Sequence, residues 1–476
     1  MHGMQLVVYL TIVFRALVFC IRLVVRSSII FSLLRYLATL FLVLNQIVFA
    51  ARQAKRTLCN TSTKQSCGSP FPSGAVFATS NGADLFCPIP LFFSIAFLLP
   101  CLQVTRPMQI NPFRALLPHL EKIESNDAFF AAVKEEFPRF AQVGYFESGE
   151  TPAIYLCSIQ SASHRALGLV ACAHIQDYLQ GAIKRHENTI PAKEEVQIRL
   201  WQEQQAMIKP VLLAYPSVPA IDAWMQNWTN KQAPNLEIPF PAEEQSYQIW
   251  EITDPIELQY IQELFAAFVP RSYIADGHHR CSSSAVLYER GLIHGKADPD
   301  FLVALFPSNY LNIQAFHRVL DEVNWTADEL LKKLEPYFHI EPSTSAAMLP
   351  SQKFEWGLLV QKQAFRLTWR RDFLERYHWE KAILDTQLFN EVILPNVFGI
   401  VNVRQEPRLT YVEGVKGIVH LQQEQQRKPQ RVAFALHPID LQEMMLLADH
   451  NQALPPKSTW FEPRMKNGIL VRPFPI

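Results

Sequence analysis

The sequence predicts an α+β fold, a mixed, compact and soluble body in which short strands and helices are interleaved. Three observations point there. Apolar runs of strand length alternate along the chain with stretches of helical period. No internal repeat or low-complexity tract interrupts them. A chain of 476 residues is also long enough to hold two or three domains and bury a large core.

The first 107 residues differ from the rest. They hold nine of the 44 Lys and Arg residues but only one of the 44 acidic ones, Asp84, so residues 108–476 carry an excess of eight acidic residues. Residues 5–50 are almost wholly apolar, yet Arg15, Arg22, Arg26 and Arg35 interrupt them. An Arg near the centre of a spanning helix costs at least ~2.5 kcal/mol. Two readings stay open: a membrane anchor of two or three poor helices, or a misassigned start with Met108 as the initiator. The abrupt change in composition favours the second. Five of the eight cysteines lie in this stretch, and only Cys157, Cys172 and Cys281 follow it. Three widely spaced cysteines form neither a disulfide framework nor a metal-ligand pattern, which fits a reducing, cytoplasmic setting. An acidic body is a poor non-specific binder of nucleic acid. No membrane partner is expected unless residues 1–107 are translated, and the sequence does not fix an oligomeric state.

From residue 108 the elements follow in order. A helix is expected over 126–137, capped by Asn126 or Asp127 and closed by Pro138. Strands over 153–159 and 166–173 have hairpin spacing. Residues 177–185 can start a helix, 194–208 read as a polar helix, 211–215 as a buried strand, and 224–244 as loop with a short helix. A strand over 248–252 precedes an amphipathic helix over 255–268. A strand over 272–275 runs into a turn, and a helix over 282–290 is stopped by Gly291. A strand over 301–306 comes next, then a helix capped by Thr326, then a hairpin of 354–360 with 365–369. A helix over 380–393, a strand over 431–436 and a helix over 441–449 complete the body. The body is expected to divide into 108–320 and an α/β part over 321–476.

Three clusters can carry chemistry. The first is the turn Asp276-Gly277-His278-His279-Arg280. A strand ends there and a helix begins, and free N–H groups at a helix start favour an anion. Arg280 can grip a phosphate with two hydrogen bonds, while His278 and His279 can donate hydrogen bonds or move protons. Asp276 can cap the helix or orient a histidine. The second is Lys184-Arg185-His186-Glu187, with Lys193 and Glu194 shortly after, where a cation beside His and Glu can bind phosphate and supply a base, unless it is only a solvated helix end. The third is Pro455-Pro456-Lys457-Ser458-Thr459-Trp460-Phe461-Glu462-Pro463-Arg464, a stiffened loop offering a cation and two hydroxyls. It can equally be an ordered segment that packs Trp460 and Phe461. Adjacent His278 and His279 do not share a helix face at metal-ligand spacing, so no protein-bound metal is expected. There is no dinucleotide or P-loop glycine motif and no nucleophile elbow.

With these motifs the sequence resembles the prokaryotic family called domain of unknown function 1015. The resemblance rests on Asn111-Pro112-Phe113-Arg114-Ala115-Leu116, Gly181-Ala182-Ile183-Lys184-Arg185-His186-Glu187, Ala275 to Arg280, and Pro455 to Pro463, which stand in the family's order. The chain departs from it between Leu116 and Gly144, where the family's Pro-Tyr-Asp-Val-like segment is missing. The turn at 276–280 is also similar to the phosphate-binding turn of the partition-protein/sulfiredoxin superfamily. Members of that superfamily bind nucleotides there, and some phosphorylate free serine.

The resemblance implies a nucleotide-dependent phosphotransferase acting on a small metabolite, with free serine or phosphoserine as first candidates. Gly277, His278, Arg280, Lys184, His186, Lys457, Ser458 and Thr459 would bind phosphate or nucleotide. Glu187, His279 and Asp276 would be catalytic, with Glu187 chosen as the base on chemistry alone. Magnesium would arrive with ATP or ADP. The alternatives are a non-catalytic nucleotide-binding regulator and a small-molecule phosphatase or hydrolase.

Overall fold

A computed structural model describes residues 108–161, 164–291, 298–376 and 383–475. The fold is α+β, built on two sheets. The larger has nine strands: β1 (Ile110–Asn111), β2 (Ile154–Ser161), β3 (Arg165–His174), β4 (Ile183–Lys184), β5 (Val211–Tyr215), β6 (Leu236–Phe240), β7 (Gln245–Ile252), β8 (Ser272–Asp276) and β9 (Asp300–Pro307). Their order is β4-β8-β5-β9-β3-β2-β7-β6, and β1 pairs with the end of β3. The β4–β8 and β5–β9 pairs are parallel and the other neighbours antiparallel. Strands such as β5, buried at every position, read in sequence as unbroken apolar runs because both faces are covered.

The second sheet has six antiparallel strands: β10 (Phe316–Leu320), β11 (Phe338–Ser343), β12 (Glu355–Val360), β13 (Gln363–Trp369), β14 (Leu409–Glu413) and β15 (Val432–Ala435). Their order is β11-β13-β12-β15-β10-β14. Trp356, Trp369, Phe389 and Phe434 pack at its centre. The strands of the first sheet all lie within 110–307 and those of the second within 316–435, so the expected boundary at residue 320 falls at the end of β10, the second sheet's first strand. The chain end returns to the earlier part, where Arg472–Pro473 and Ala206–Met207 form a separate two-stranded pair.

The helices that matter for the site are α1 (Asn126–Gln142), α2 (Pro191–Gln204), α3 (Pro219–Lys231), α4 (Pro255–Phe268) and α5 (His278–Arg290). Ser125 caps α1 in place of Asn126 or Asp127, and Pro138 lies inside the helix instead of closing it. Proline removes the N–H that would bond the carbonyl four residues earlier. That carbonyl, on Lys134, instead accepts a hydrogen bond from Gln204 Nε2 at 2.6 Å. The expected loop over 224–244 is largely α3 and β6, because Pro219 takes the first helical turn, where its missing N–H costs nothing. The helix expected over 177–185 is only Ile175–Leu179, followed by Gly181 with φ 79° and then β4. Thr326 caps its helix through a reciprocal bond with Glu329, as its sequence spacing predicts. The helix expected over 380–393 is found as Asp385–Leu388, a π turn Phe389–Ile393 and Leu394–Phe398, and its expected first residues lie outside the described ones. The region 1–107 also lies outside them. Among the described residues no helix is long and apolar enough to cross a membrane. Cys157, Cys172 and Cys281 are buried free thiols.

Candidate functional site

The turn at the end of β8 organises the site. The register between β8 and β5 shifts between Ile274 and Asp276, a bulge of the kind that re-aims a side chain. Gly277 follows with φ 102° as the N-cap of α5. A Cβ there would lie 2.6 Å from Arg280 Nη2, so both the backbone twist and the space demand glycine. The helix starts at His278, four residues before the expected Ser282. His278, His279 and Arg280 therefore share its first turn and fan out in different directions instead of lying in a loop.

Asp276 is the centre of charge. Its Oδ2 meets Arg280 Nη2 at 2.6 Å and Lys209 Nζ at 3.7 Å, and its Oδ1 meets Arg464 Nη2 at 3.3 Å. Burial disfavours the carboxylate, but Arg280, then Lys209 and Arg464, outweigh it and hold the carboxyl well below the usual carboxylate range. Burial, with Arg280 nearby, pushes the Lys209 ammonium down to about 8, against the pull of Asp276. Arg280 also donates from Nη1 to the Pro210 carbonyl at 2.7 Å. The arginine is thus fastened to the turn by two partners. Asp276, ringed by cations, is correspondingly a poor proton acceptor. Arg464 stacks its guanidinium 3.7 Å from the Trp460 ring centroid.

Beside this cluster sits a pair of buried histidines. The rings of His186 and His278 meet edge to face at 4.4 Å. The His186 backbone N–H donates to His278 Nε2 at 3.4 Å, which leaves Nδ1 of His278 turned toward Glu187, 3.9 Å from Oε2. Burial pushes His186 down to about 3, and burial, then His186 beside it, pushes His278 well below the usual histidine value. Both rings are neutral at pH 7. They can donate or accept hydrogen bonds but bring no cation to a phosphate.

The third cluster arrives from the far end of the chain. Leu454 N–H donates to the His186 carbonyl at 2.7 Å, and Thr459 Oγ1 and His186 Nε2 are hydrogen-bonded at 3.4 Å. The three sequence clusters therefore meet at one cleft of about 520 Å³. His186, Glu187, Asp276, Gly277, His278, His279, Arg280, Lys457, Ser458 and Thr459 all line it. Lys184 does not. It lies on β4, paired to Tyr273. Ser458 is nearly buried, and its hydroxyl already donates to the Pro455 carbonyl at 2.6 Å and meets Thr386 Oγ1 at 3.2 Å. It shapes the loop instead of offering a free donor. His279 is half-buried at the mouth and is lowered by burial and by Lys193. Glu187 is the exposed carboxylate of the cleft.

Sequence reasoning missed Lys209, and Lys134 on the rim, and gave no separate role to Arg464 and Lys193 of its clusters. Counting them, the cleft is lined by six Lys and Arg side chains against two carboxylates. No local signal singles out Lys209, a lone lysine between Ile208 and Pro210. It reaches Asp276 only because β5 and β8 are neighbours in the sheet.

Fold and site define an α+β protein with a cleft rich in Lys and Arg at a strand-to-helix turn. Residues 110–390 match the family described as protein of unknown function DUF1015, and the chain belongs to that family. The Pro455–Pro463 segment lies beyond the matched residues. No curated protein matches the sequence. Among solved structures, a C-terminally truncated SbnI from Staphylococcus aureus is similar at TM-score 0.34 and 12% identity, over 63% of this chain and 85% of that one. A free serine kinase variant in complex with ADP is similar at TM-score 0.30 and 12% identity, over 63% and 92%. A conserved hypothetical protein from Pyrococcus furiosus is similar at TM-score 0.31 and 13% identity, over 64% and 95%. At these scores none of them assigns a role to a residue of this chain.

Proposed function

We propose that the cleft binds a nucleotide through its phosphates and transfers a phosphoryl group to a small polar metabolite, with free serine and phosphoserine the first substrates to test. The observation that carries this reading is the excess of six cationic side chains over two carboxylates around a helix start. Lys209, Arg464 and the first-turn amides of α5 hold the phosphates, while Arg280 and Asp276 fix the turn that presents them. Lys457 and Lys193 lie at the rim, where they draw an anion in. Glu187 takes the proton from the acceptor hydroxyl, with His279 the alternative group for that step. His186, His278 and Thr459 supply neutral hydrogen bonds and exclude water behind the phosphates.

Magnesium carried by the nucleotide fits this donor set better than a resident ion. One exposed carboxylate, Glu187, is present, and among the described residues no group of three or more His, Cys, Asp or Glu is placed to hold a metal. When bound, the ion would neutralise charge between the phosphates.

The test is calorimetric titration of the full chain with ATP, ADP and AMP in magnesium, with Arg464→Ala beside it. Binding of ATP is expected, weakened at least about tenfold in the variant, since a charge-assisted hydrogen bond contributes roughly 1.5–3 kcal/mol. If no nucleotide binds at millimolar concentration, the reading fails. Binding without phosphoryl transfer to any acceptor marks a nucleotide-binding regulator, and phosphate release without an acceptor marks a hydrolase.

A further inference from the structure

Lys209 stands between two cavities. One is the cleft described above. The other, of about 370 Å³, shares Lys209, Trp460, Arg464 and Asn467 with it. The side chain is largely enclosed, so its amine is held at one place, open to a ligand from either side. Asp276 is its ion-pair partner, at 3.7 Å, and that carboxylate is already taken at 2.6 Å by Arg280. Lys209 is therefore the weakly paired member of a crowd of three cations. The two guanidiniums beside it are permanent charges, and only the amine can relieve the crowding by giving up its proton.

Every charged group that faces Lys209 can be placed. Asp276 faces it from β8, Arg280 from α5 and Arg464 from the C-terminal segment. Across the second cavity stand Asp127 of α1, Glu462, and the Glu243–Lys466 ion pair at 2.6 Å. Glu462 is itself engaged by Trp460 Nε1 at 2.5 Å. No carboxylate other than Asp276 pairs with the amine among the described residues.

We propose that Lys209 is a reactive amine, placed to condense with an aldehyde or ketone that carries a phosphate. Arg464 and the start of α5 hold the phosphate, and the carbonyl carbon reaches Nζ. The neutral amine nitrogen bonds to that carbon. The carbonyl oxygen leaves as water with both amine protons, and an imine remains. A lysine desolvated beside other cations is a known route to such a nucleophile. Burial, together with Arg280, pushes Lys209 down to about 8, so a substantial share of the amine is neutral near pH 7.5. This inference does not need phosphoryl transfer, only the anion-binding cleft.

The experiment treats the full chain with pyridoxal phosphate, or with pyridoxal lacking the phosphate, then reduces with borohydride and maps the modified peptides by mass. Borohydride adds hydride to the imine carbon and fixes the bond. The expected result is one principal label, on Lys209, whose rate reaches half its maximum near pH 8. The phosphate-bearing aldehyde is expected to react at least about tenfold faster, the factor that 1.4 kcal/mol of anion binding supplies. Labels shared among the more accessible Lys134, Lys193 and Lys457, or equal rates with and without phosphate, overturn the inference. So does a Lys209 rate still climbing through pH 10. An ATP-protection arm separates the two readings. Labelling of Lys209 that millimolar ATP does not slow upholds the amine and removes the nucleotide, whereas calorimetric ATP binding with Lys209 unlabelled does the reverse.

Discussion

Two neighbouring clusters in the cleft treat charge in opposite ways. Around Asp276, burial is accompanied by a carboxylate, and Arg280 and Arg464 keep their charge while Lys209, lowered to about 8, keeps most of its own at pH 7. At His186 and His278, burial comes without an ion-pair partner in hydrogen-bonding reach, and both rings stay neutral. The same desolvation acts on each. What decides the outcome is whether a counter-charge was folded in beside the group. The cleft is thus divided into a charged floor for an anion and an uncharged wall of hydrogen-bonding groups.

Acid attacks the neutral wall first, and this is the largest effect expected. The folded-state values of His186 and His278 lie below the unfolded one, so the unfolded chain binds protons that the native chain refuses. Stability is then complete above about pH 6.5 and falls as pH drops through it, by about 1.4 kcal/mol per unit for each histidine. Between pH 6.5 and 4.5 His186 alone is expected to cost about 2 kcal/mol in urea unfolding, and His278 adds to it in the same direction. A flat profile there would show that the rings are charged in the native state. The Asp276 contribution has the same sign but a lower window: its folded-state value also lies below the unfolded one, so it is present above the ordinary carboxylate value and is lost only in stronger acid.

Removing the counter-charge should convert the floor into a failed version of the wall. Asp276→Asn leaves Arg280 and Arg464 buried beside each other, and breaking such a pair costs about 3 kcal/mol or more. Chemical unfolding measures it. A loss below about 1 kcal/mol would mean that solvent, not Asp276, balances the cations. Arg280→Ala is expected to lose stability as well as ligand, because Arg280 is fastened to Asp276 and the Pro210 carbonyl. The smallest effect belongs to the wall. Thr459→Val removes the 3.4 Å partner of His186 Nε2 and is expected to cost roughly 0.5–1 kcal/mol of stability, with a smaller loss of ATP affinity than Arg464→Ala.

Much of this was legible in the sequence where the signal is local. The helices Pro255–Phe268 and Leu441–Asp449 and the strand Val211–Tyr215 begin and end where periodicity and caps place them. The strand-to-helix turn at 276–280 could be read because four ionisable residues and a glycine stand together. The strands Phe316–Leu320 and Leu409–Glu413 were not legible. Each carries polar or charged residues that only a sheet partner explains, and Arg318, fully buried, donates to the Lys457 carbonyl of the cleft loop at 3.1 Å. The division of labour inside the turn was hidden too. Sequence spacing cannot tell an arginine that grips a ligand from one that grips its own backbone.

The proline inside α1 has a consequence for inheritance. Pro138 is tolerated because Gln204, 66 positions later, answers the Lys134 carbonyl that the proline abandons. The two residues form a pair of mutual permissions across the fold. In descendants of this chain, a change at 204 that removes the amide donor raises the pressure to replace 138, whereas replacing 138 by alanine frees 204 to vary.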